Sequence, residues 1–155
     1  MTMFKLDAEH LFAYTATLRA PPEVFGPTPE GVRANFHVTG GEMHGPKLRG
    51  TVRDVGADFC LIRRDGVLEL NVQLSLETHD GALIAATYTG YGDLGADGYE
   101  QFLAGKLPQR LALRTVPVLR TAHPDYQWLH RKLLVGVGEA DLERFSVSYD
   151  VYAIG

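Results

Sequence analysis

The sequence predicts an all-β fold, mainly antiparallel: a closed or nearly closed β-barrel of about eight to ten strands with one short helix. Three observations carry that expectation. Apolar and polar residues alternate with period two over long runs, glycines and prolines punctuate those runs, and helical spacing is convincing in one place only. Between Val67 and Glu77 the residues Leu68, Leu70, Val72, Leu74 and Leu76 alternate with Glu69, Asn71, Gln73, Ser75 and Glu77. Near the end, Phe145, Val147, Tyr149 and Val151 alternate with Arg144, Ser146, Ser148 and Asp150. The 17 glycines and 8 prolines fall between apolar runs, as turns between short strands require.

Further strands are expected over Leu11–Leu18, Arg33–Met43, Lys47–Val55, Asp58–Arg64, Leu83–Gly90, Arg110–Val116 and Lys132–Val137. Asp65-Gly66 and Asp80-Gly81 read as two-residue hairpin loops, because Asp-Gly tolerates the positive φ of a type I′ turn. That loop length sets Asp58 opposite Gln73, and Gln73 opposite Tyr88, in one row. Leu70 and Leu74 then lie on the other face with Phe59, Leu61 and Leu83. Asp97 followed by Glu100 suggests a capping box, with Tyr99, Phe102 and Leu103 forming a helical stripe that Gly105 ends. A shorter helical turn is expected near Pro124–His130.

Length and composition narrow the functional classes. At 155 residues the chain is one domain, 1–155, able to bury a core without staples. A net charge of −4 with no basic block lacks the electrostatic footprint of a nucleic-acid binder. The lone Cys60 rules out an internal disulfide framework and fits a reducing compartment. No apolar stretch reaches membrane-spanning length, so the expectation is a cytoplasmic protein without a membrane partner.

Candidate chemistry lies on the strands. Asp58, Glu69, Asn71, Gln73 and Tyr88 would share a face, and His37 and Arg49 join it if a three-residue loop at His44–Pro46 links their strands. Such a face offers proton-transfer groups and guanidinium forks for a carboxylate. Solvation offers a plainer account: polar residues outside, leucines filling the barrel. Arg49, Arg63 and Arg114 are either clamps for an anionic ligand or structural ion-pair partners. Arg63, by parity on the leucine face, needs a partner or an open barrel end. The six histidines show no compact ligand spacing, so no metal is expected. His130, beside Trp128, is an acid or base by residue type and otherwise a surface histidine. Cys60 has no evident base and reads as a small buried residue. Val135–Gly138 lacks a strand-turn-helix context, and no phosphate loop or nucleophile elbow occurs, so no cofactor is expected.

Several segments occur in an order that resembles a bacterial family of uncharacterised proteins, UPF0311, which carries the domain of unknown function DUF3237. They are Gly26–Pro29, Thr39–Gly41, Gly45–Gly50, Gly56–Asp58, Arg63 with Asp65-Gly66, and Asp80–Ala82. Arg114-Thr115 with Pro117, then Tyr126, Trp128, Leu129 and Val135–Gly138, continue the match. The resemblance implies an antiparallel β-barrel, similar in outline to calycin and allene-oxide-cyclase barrels, and no shared reaction or cofactor. Two departures stand out. His130 replaces an asparagine expected after Trp-Leu, and Asn71 and Gln73 replace an aspartate and an arginine.

Three functions compete. The first is a cofactor-free isomerase or lyase acting on a small organic acid or phenolic metabolite. There Arg49 or Arg114 holds an anionic ligand, Tyr88 or His130 moves the proton and Asp58 or Glu69 assists, with His37, Asn71, Gln73 and Trp128 as further ligand contacts. The second is a non-catalytic, lipocalin-like carrier or sensor. The third is an oligomeric interaction protein, and a homo-oligomer from dimer to tetramer is compatible with the apolar faces.

Overall fold

The computed structural model describes residues 1–155. Strands β1 (Ala8–Leu18), β2 (Glu23–Pro27), β3 (Gly31–His44), β4 (Gly50–Arg63), β5 (Val67–Thr78) and β6 (Leu83–Asp93) are followed by helix α1 (Gly98–Leu103). Then come β7 (Arg110–Arg120), a 3-10 helix (Pro124–Arg131), β8 (Leu133–Asp141) and β9 (Ser146–Ile154). Every neighbouring pair is antiparallel, in the order β1-β9-β8-β7-β6-β5-β4-β3, and pairing of β1 with β3 closes an eight-stranded barrel. The short β2 adds to β3 outside the ring.

Alternation decides what the barrel encloses. Leu70, Val72, Leu74 and Leu76 of β5 are buried, while Asn71 and Gln73 beside them are exposed. Each such side chain removed from water stabilises the fold by about 1.5–3 kcal/mol. Matching residues from β6, β7, β8 and β9, among them Ile84, Leu113, Leu134 and Val151, complete one core. An eight-stranded barrel has an interior just wide enough for side chains or one small ligand, so any unfilled volume there is informative.

Both hairpin loops differ from expectation by an amount that changes which face a residue occupies. The β4–β5 connection has three residues, Arg64, Asp65 and Gly66, with Gly66 at φ +87° in the left-handed conformation such a loop demands. The Gly66 N–H donates to Arg63 O at 3.0 Å, and the Asp65 carboxylate accepts the Val67 N–H. Between Thr78 and Ala82 the three residues His79, Asp80 and Gly81 form the β5–β6 loop, closed by the Thr78 N–H on Ala82 O and by the Ala82 N–H on the Thr78 hydroxyl. Asp58 therefore pairs with Val72 instead of Gln73, and Tyr88 also pairs with Val72. Because side chains alternate with period two, a one-residue change moves Asp58 and Tyr88 onto the leucine face.

The two strands expected over Lys47–Val55 and Asp58–Arg64 are one continuous strand with a bulge between Val52 and Gly56. Gly56 sits at φ +94°, and a Cβ there would lie 2.0 Å from Gln73 O, so glycine is required. Strand β2 was not foreseen. Asp97 does precede α1, but its side chain makes no capping hydrogen bond, so the expected box is not formed.

Candidate functional site

Four titratable side chains enter the lumen: Asp58 from β4, Tyr88 from β6, Tyr14 from β1 and Tyr149 from β9. Tyr14 stacks on Tyr149 with centroids 5.2 Å apart, and Tyr88 meets Tyr149 edge-on at 5.6 Å. The Tyr88 hydroxyl lies near enough to those of Tyr14 and Tyr149 for the three to influence one another's ionisation. Strand β8 makes room for the ring of Tyr149. A Cβ at Gly138 would stand 2.6 Å from that ring, and one at Gly136 would strike the Thr115 hydroxyl at 2.2 Å. The Val135–Gly138 run thus has a packing role inside a strand, and no nucleotide loop forms there.

Asp58 is the group most altered by its surroundings. One carboxylate oxygen accepts the Asn71 backbone N–H at 3.0 Å, which favours the charged form. Loss of water around it acts the other way and wins, raising the pKa from 3.8 to about 7. Its remaining accessible surface faces two adjoining cavities of about 50 and 30 Å³. The first is walled by Leu18, Phe36, Leu111 and Leu142 and lies against Leu94, Phe102 and Leu107 of the segment around α1. The second runs deeper, to Leu74, Tyr88 and Tyr149. Burial pushes all three phenols well above their usual pKa, so near neutrality they are hydrogen-bond donors and not phenolates. The same burial raises the Cys60 thiol, which packs with Val32, Ala34, Ile62 and Tyr99 as an inert residue.

The other expected site residues lie elsewhere. Glu69, Asn71, Gln73 and Arg114 point outward, the consequence of the register just described. Glu69 and Asp65 hold Arg63, so the partner Arg63 required exists, on the outer surface. Asn71 reaches Asp58 through its backbone alone. Arg49 is exposed in the β3–β4 connection, Gly45 to Arg49, which is longer than the three residues expected. His37 lies half-buried on the outer side of β3. Trp128 and His130 belong to the 3-10 helix, which closes the barrel end opposite α1. His130 Nε2 accepts the Thr121 N–H at 3.0 Å, a structural bond away from the lumen. Asp80, His123 and Asp125 gather ligand atoms within 4.8 Å at that end. Asp80 already accepts hydrogen bonds from the Tyr126 and Thr78 hydroxyls, and His123 Nδ1 accepts the Asp125 N–H.

Tyr14 and Tyr149 were missed. Tyr149 sits on the apolar register of β9 between Val147 and Val151, and two inward glycines on the neighbouring strand mark space for a large ring. That pairing of glycines with an aromatic was legible in principle. Tyr14 follows a β-bulge at His10/Phe12, which resets its face and hides the signal.

Fold and lumen define a small antiparallel β-barrel that holds acid–base groups in an apolar interior. The chain belongs to the family described as "Protein of unknown function (DUF3237)", whose sequence model matches residues 6–154. A UPF0311 protein of Rhodopseudomonas palustris strain TIE-1 is 30% identical over 151 residues, spanning 96% of this chain and 97% of the relative. Among solved structures, a protein of unknown function from Clostridium acetobutylicum superposes with a TM-score of 0.87 at 25% identity, over 97% of this chain and all of that one. A β-barrel-like protein from Acinetobacter baumannii gives 0.83 at 29% identity, over 99% of each chain. An enzyme from Penicillium herquei shares the fold, with a TM-score of 0.71 at 20% identity over 100% of this chain and 98% of that one.

Proposed function

We propose that the barrel binds an uncharged, mainly apolar small molecule, of which a neutral phenol is the simplest type, and isomerises it by acid–base chemistry without a cofactor. The observation that carries this reading is Asp58, a carboxyl group with a pKa of about 7 opening onto an apolar cavity. Near neutrality such a group is protonated in part of the molecules and ionised in the rest, as a proton donor and acceptor must be. In an isomerisation Asp58 gives its proton to one substrate atom, and the resulting carboxylate takes a proton back from another. The phenols of Tyr88 and Tyr149 would donate hydrogen bonds to a substrate oxygen and hold the molecule in place beside Asp58. The arginines lie outside the lumen, so an uncharged ligand suits the interior better than an organic anion.

The cavities of about 50 and 30 Å³ are smaller than a metabolite. Entry therefore needs the α1 segment, from Leu94 to Leu107, to swing away. It contains Gly95 and Gly105, one on each side of α1, and Tyr99 is its one buried side chain. Arg64 fastens it: the guanidinium donates to Tyr99 Oη at 3.1 Å and lies 5.2 Å from that ring's centre.

Native mass spectrometry of the purified protein, followed by assay of the molecule it retains, tests the proposal. A neutral ligand is expected to be turned over by the wild type, with activity falling as pH rises through about 7. Asp58→Asn should bind it and lose at least about a hundredfold in rate. Turnover untouched by that substitution ends the catalytic reading. A tightly held ligand that neither form alters would favour a lipocalin-like carrier, which the apolar lining also suits.

A further inference from the structure

A concavity of about 750 Å³ lies outside the barrel, lined by apolar side chains together with Arg33, Glu69, Asn71 and Arg114. On the outward positions of β6, β7 and β8, Arg114 is the lone charge between Asp93, Arg110 and Glu139 at the α1 end and Arg120 and Lys132 at the other. Arg114 itself lies along the sheet, donating to Leu113 O and Gly138 O. Leu83, Tyr91, Val116, Val118, Leu133 and Val137 all point outward here and are 40% to 60% exposed. An apolar centre with a charged rim is the anatomy of a protein interface.

We propose that this face is a two-fold interface with a second copy of the chain. Shape is the first argument. Towards the α1 end the sheet is hollowed into a trough of about 750 Å³, with Phe59, Tyr91 and Val137 in its lining. Val118 and Leu133 stand proud nearer the 3-10 helix and do not line it. Place a two-fold axis in the interface, across the strands, at the level of the Thr89–Val116 pair. It reverses strand direction, so each copy's Val118 and Leu133 settle into the partner's trough. The trough draws on every strand from β3 to β8, a breadth of lining that suits the side chains of a second protein surface.

Charge gives the second argument. The same axis lays the row holding Asp93 over the row in which Ala85 pairs with Arg120. Asp93 then faces the partner's Arg120, and the reverse contact forms by symmetry. Arg120 has no acidic partner within its own chain and donates only to Leu119 O, at 3.2 Å. Area agrees as well. Three strands of 9 to 11 residues present an apolar centre of roughly 14 Å by 35 Å, which the charged rim extends towards the about 800 Å² per partner of a standard interface.

Sedimentation at about 50 µM reads the result directly. The wild type is expected at twice the 17.1 kDa chain mass. Val118→Glu should run at the single-chain mass with an unchanged circular dichroism spectrum. Arg120→Glu should weaken association at least about tenfold, and the double variant Asp93→Lys/Arg120→Glu should recover to within about threefold of wild type. A wild type at single-chain mass overturns the proposal, and so does a dimer that Val118→Glu leaves intact. A monomer whose trough takes up an apolar dye would assign the face to a small ligand instead.

Discussion

The two ends of the barrel are closed by different means. At one end the 3-10 helix is pinned by directional bonds. Tyr126 donates its hydroxyl to the Asp80 carboxylate at 2.9 Å, Thr78 also bonds Asp80, and Leu129 beneath them is 1% exposed. At the other end α1 covers the lumen mainly with apolar side chains, Leu94 and Phe102, over a cavity of about 50 Å³. The carboxylate at the pinned end and the one inside the lumen respond to their surroundings in opposite directions. Hydrogen bonds from Thr78 hold Asp80 below the usual carboxylate range, with Tyr126 adding to the effect, whereas burial holds Asp58 above it. One end is fastened by a charge that the fold stabilises, and the other is left ready to exchange a proton and, we propose, a ligand.

The sharpest way to break this contrast is to remove packing under the sealed end. Leu129→Ala should cost about 3–5 kcal/mol of unfolding free energy in a denaturant titration, since the cavity it leaves cannot collapse. Next in size is Asp58→Asn. A carboxyl whose pKa is raised on folding contributes its full stability below about pH 4, the unfolded value, and loses it as pH rises through about 7. Raising that pKa from 3.8 to about 7 corresponds to a penalty on the order of 4 kcal/mol at pH 8 or above. The variant should therefore match wild type near pH 4 and be about 2–4 kcal/mol more stable at pH 8, read from paired chemical melts.

Tyr126→Phe should cost about 1–2 kcal/mol at neutral pH. Its sign with pH is opposite. The bond favours ionised Asp80, so the difference between wild type and variant should shrink as pH falls below the usual aspartate range. The smallest effect belongs to Phe102→Ala, expected within about 1.5 kcal/mol of wild type because the ring is only half-buried. The same change should speed uptake of an apolar dye into the lumen, measured by stopped-flow fluorescence. An equal loss of stability from Phe102→Ala and Leu129→Ala would erase the distinction between the two ends.

Barrel, strand positions and the 3-10 turn were legible because alternation and turn residues are local signals. Faces were harder to assign. Parity correctly grouped Asp58 with Tyr88, yet the loops at Asp65-Gly66 and Asp80-Gly81 are longer than their Asp-Gly pairs suggest. One added residue in each moved both groups from the polar face to the leucine face. Glu69, Asn71 and Gln73 turned out to lie outside the barrel, where Glu69 and Asn71 line the trough. Tyr14 and the bulge at Gly56 depend on interstrand geometry that no short stretch of sequence records. His37 and Arg49 were placed by a three-residue loop that the structure does not form, and His130 and Arg114 by residue type, which says nothing about where a side chain points. Their places, His130 in the plug and Arg114 along the outer sheet, follow from tertiary packing.

Carbon-13 NMR of the aspartate carboxyl groups, with Asp58→Asn to assign the signal, is the most direct measurement. The account predicts one carboxyl titrating at about 7, absent from the variant. A carboxyl at position 58 titrating near 4, as in water, would mean that the lumen neither dries nor tunes it, and the acid–base centre described above would not exist.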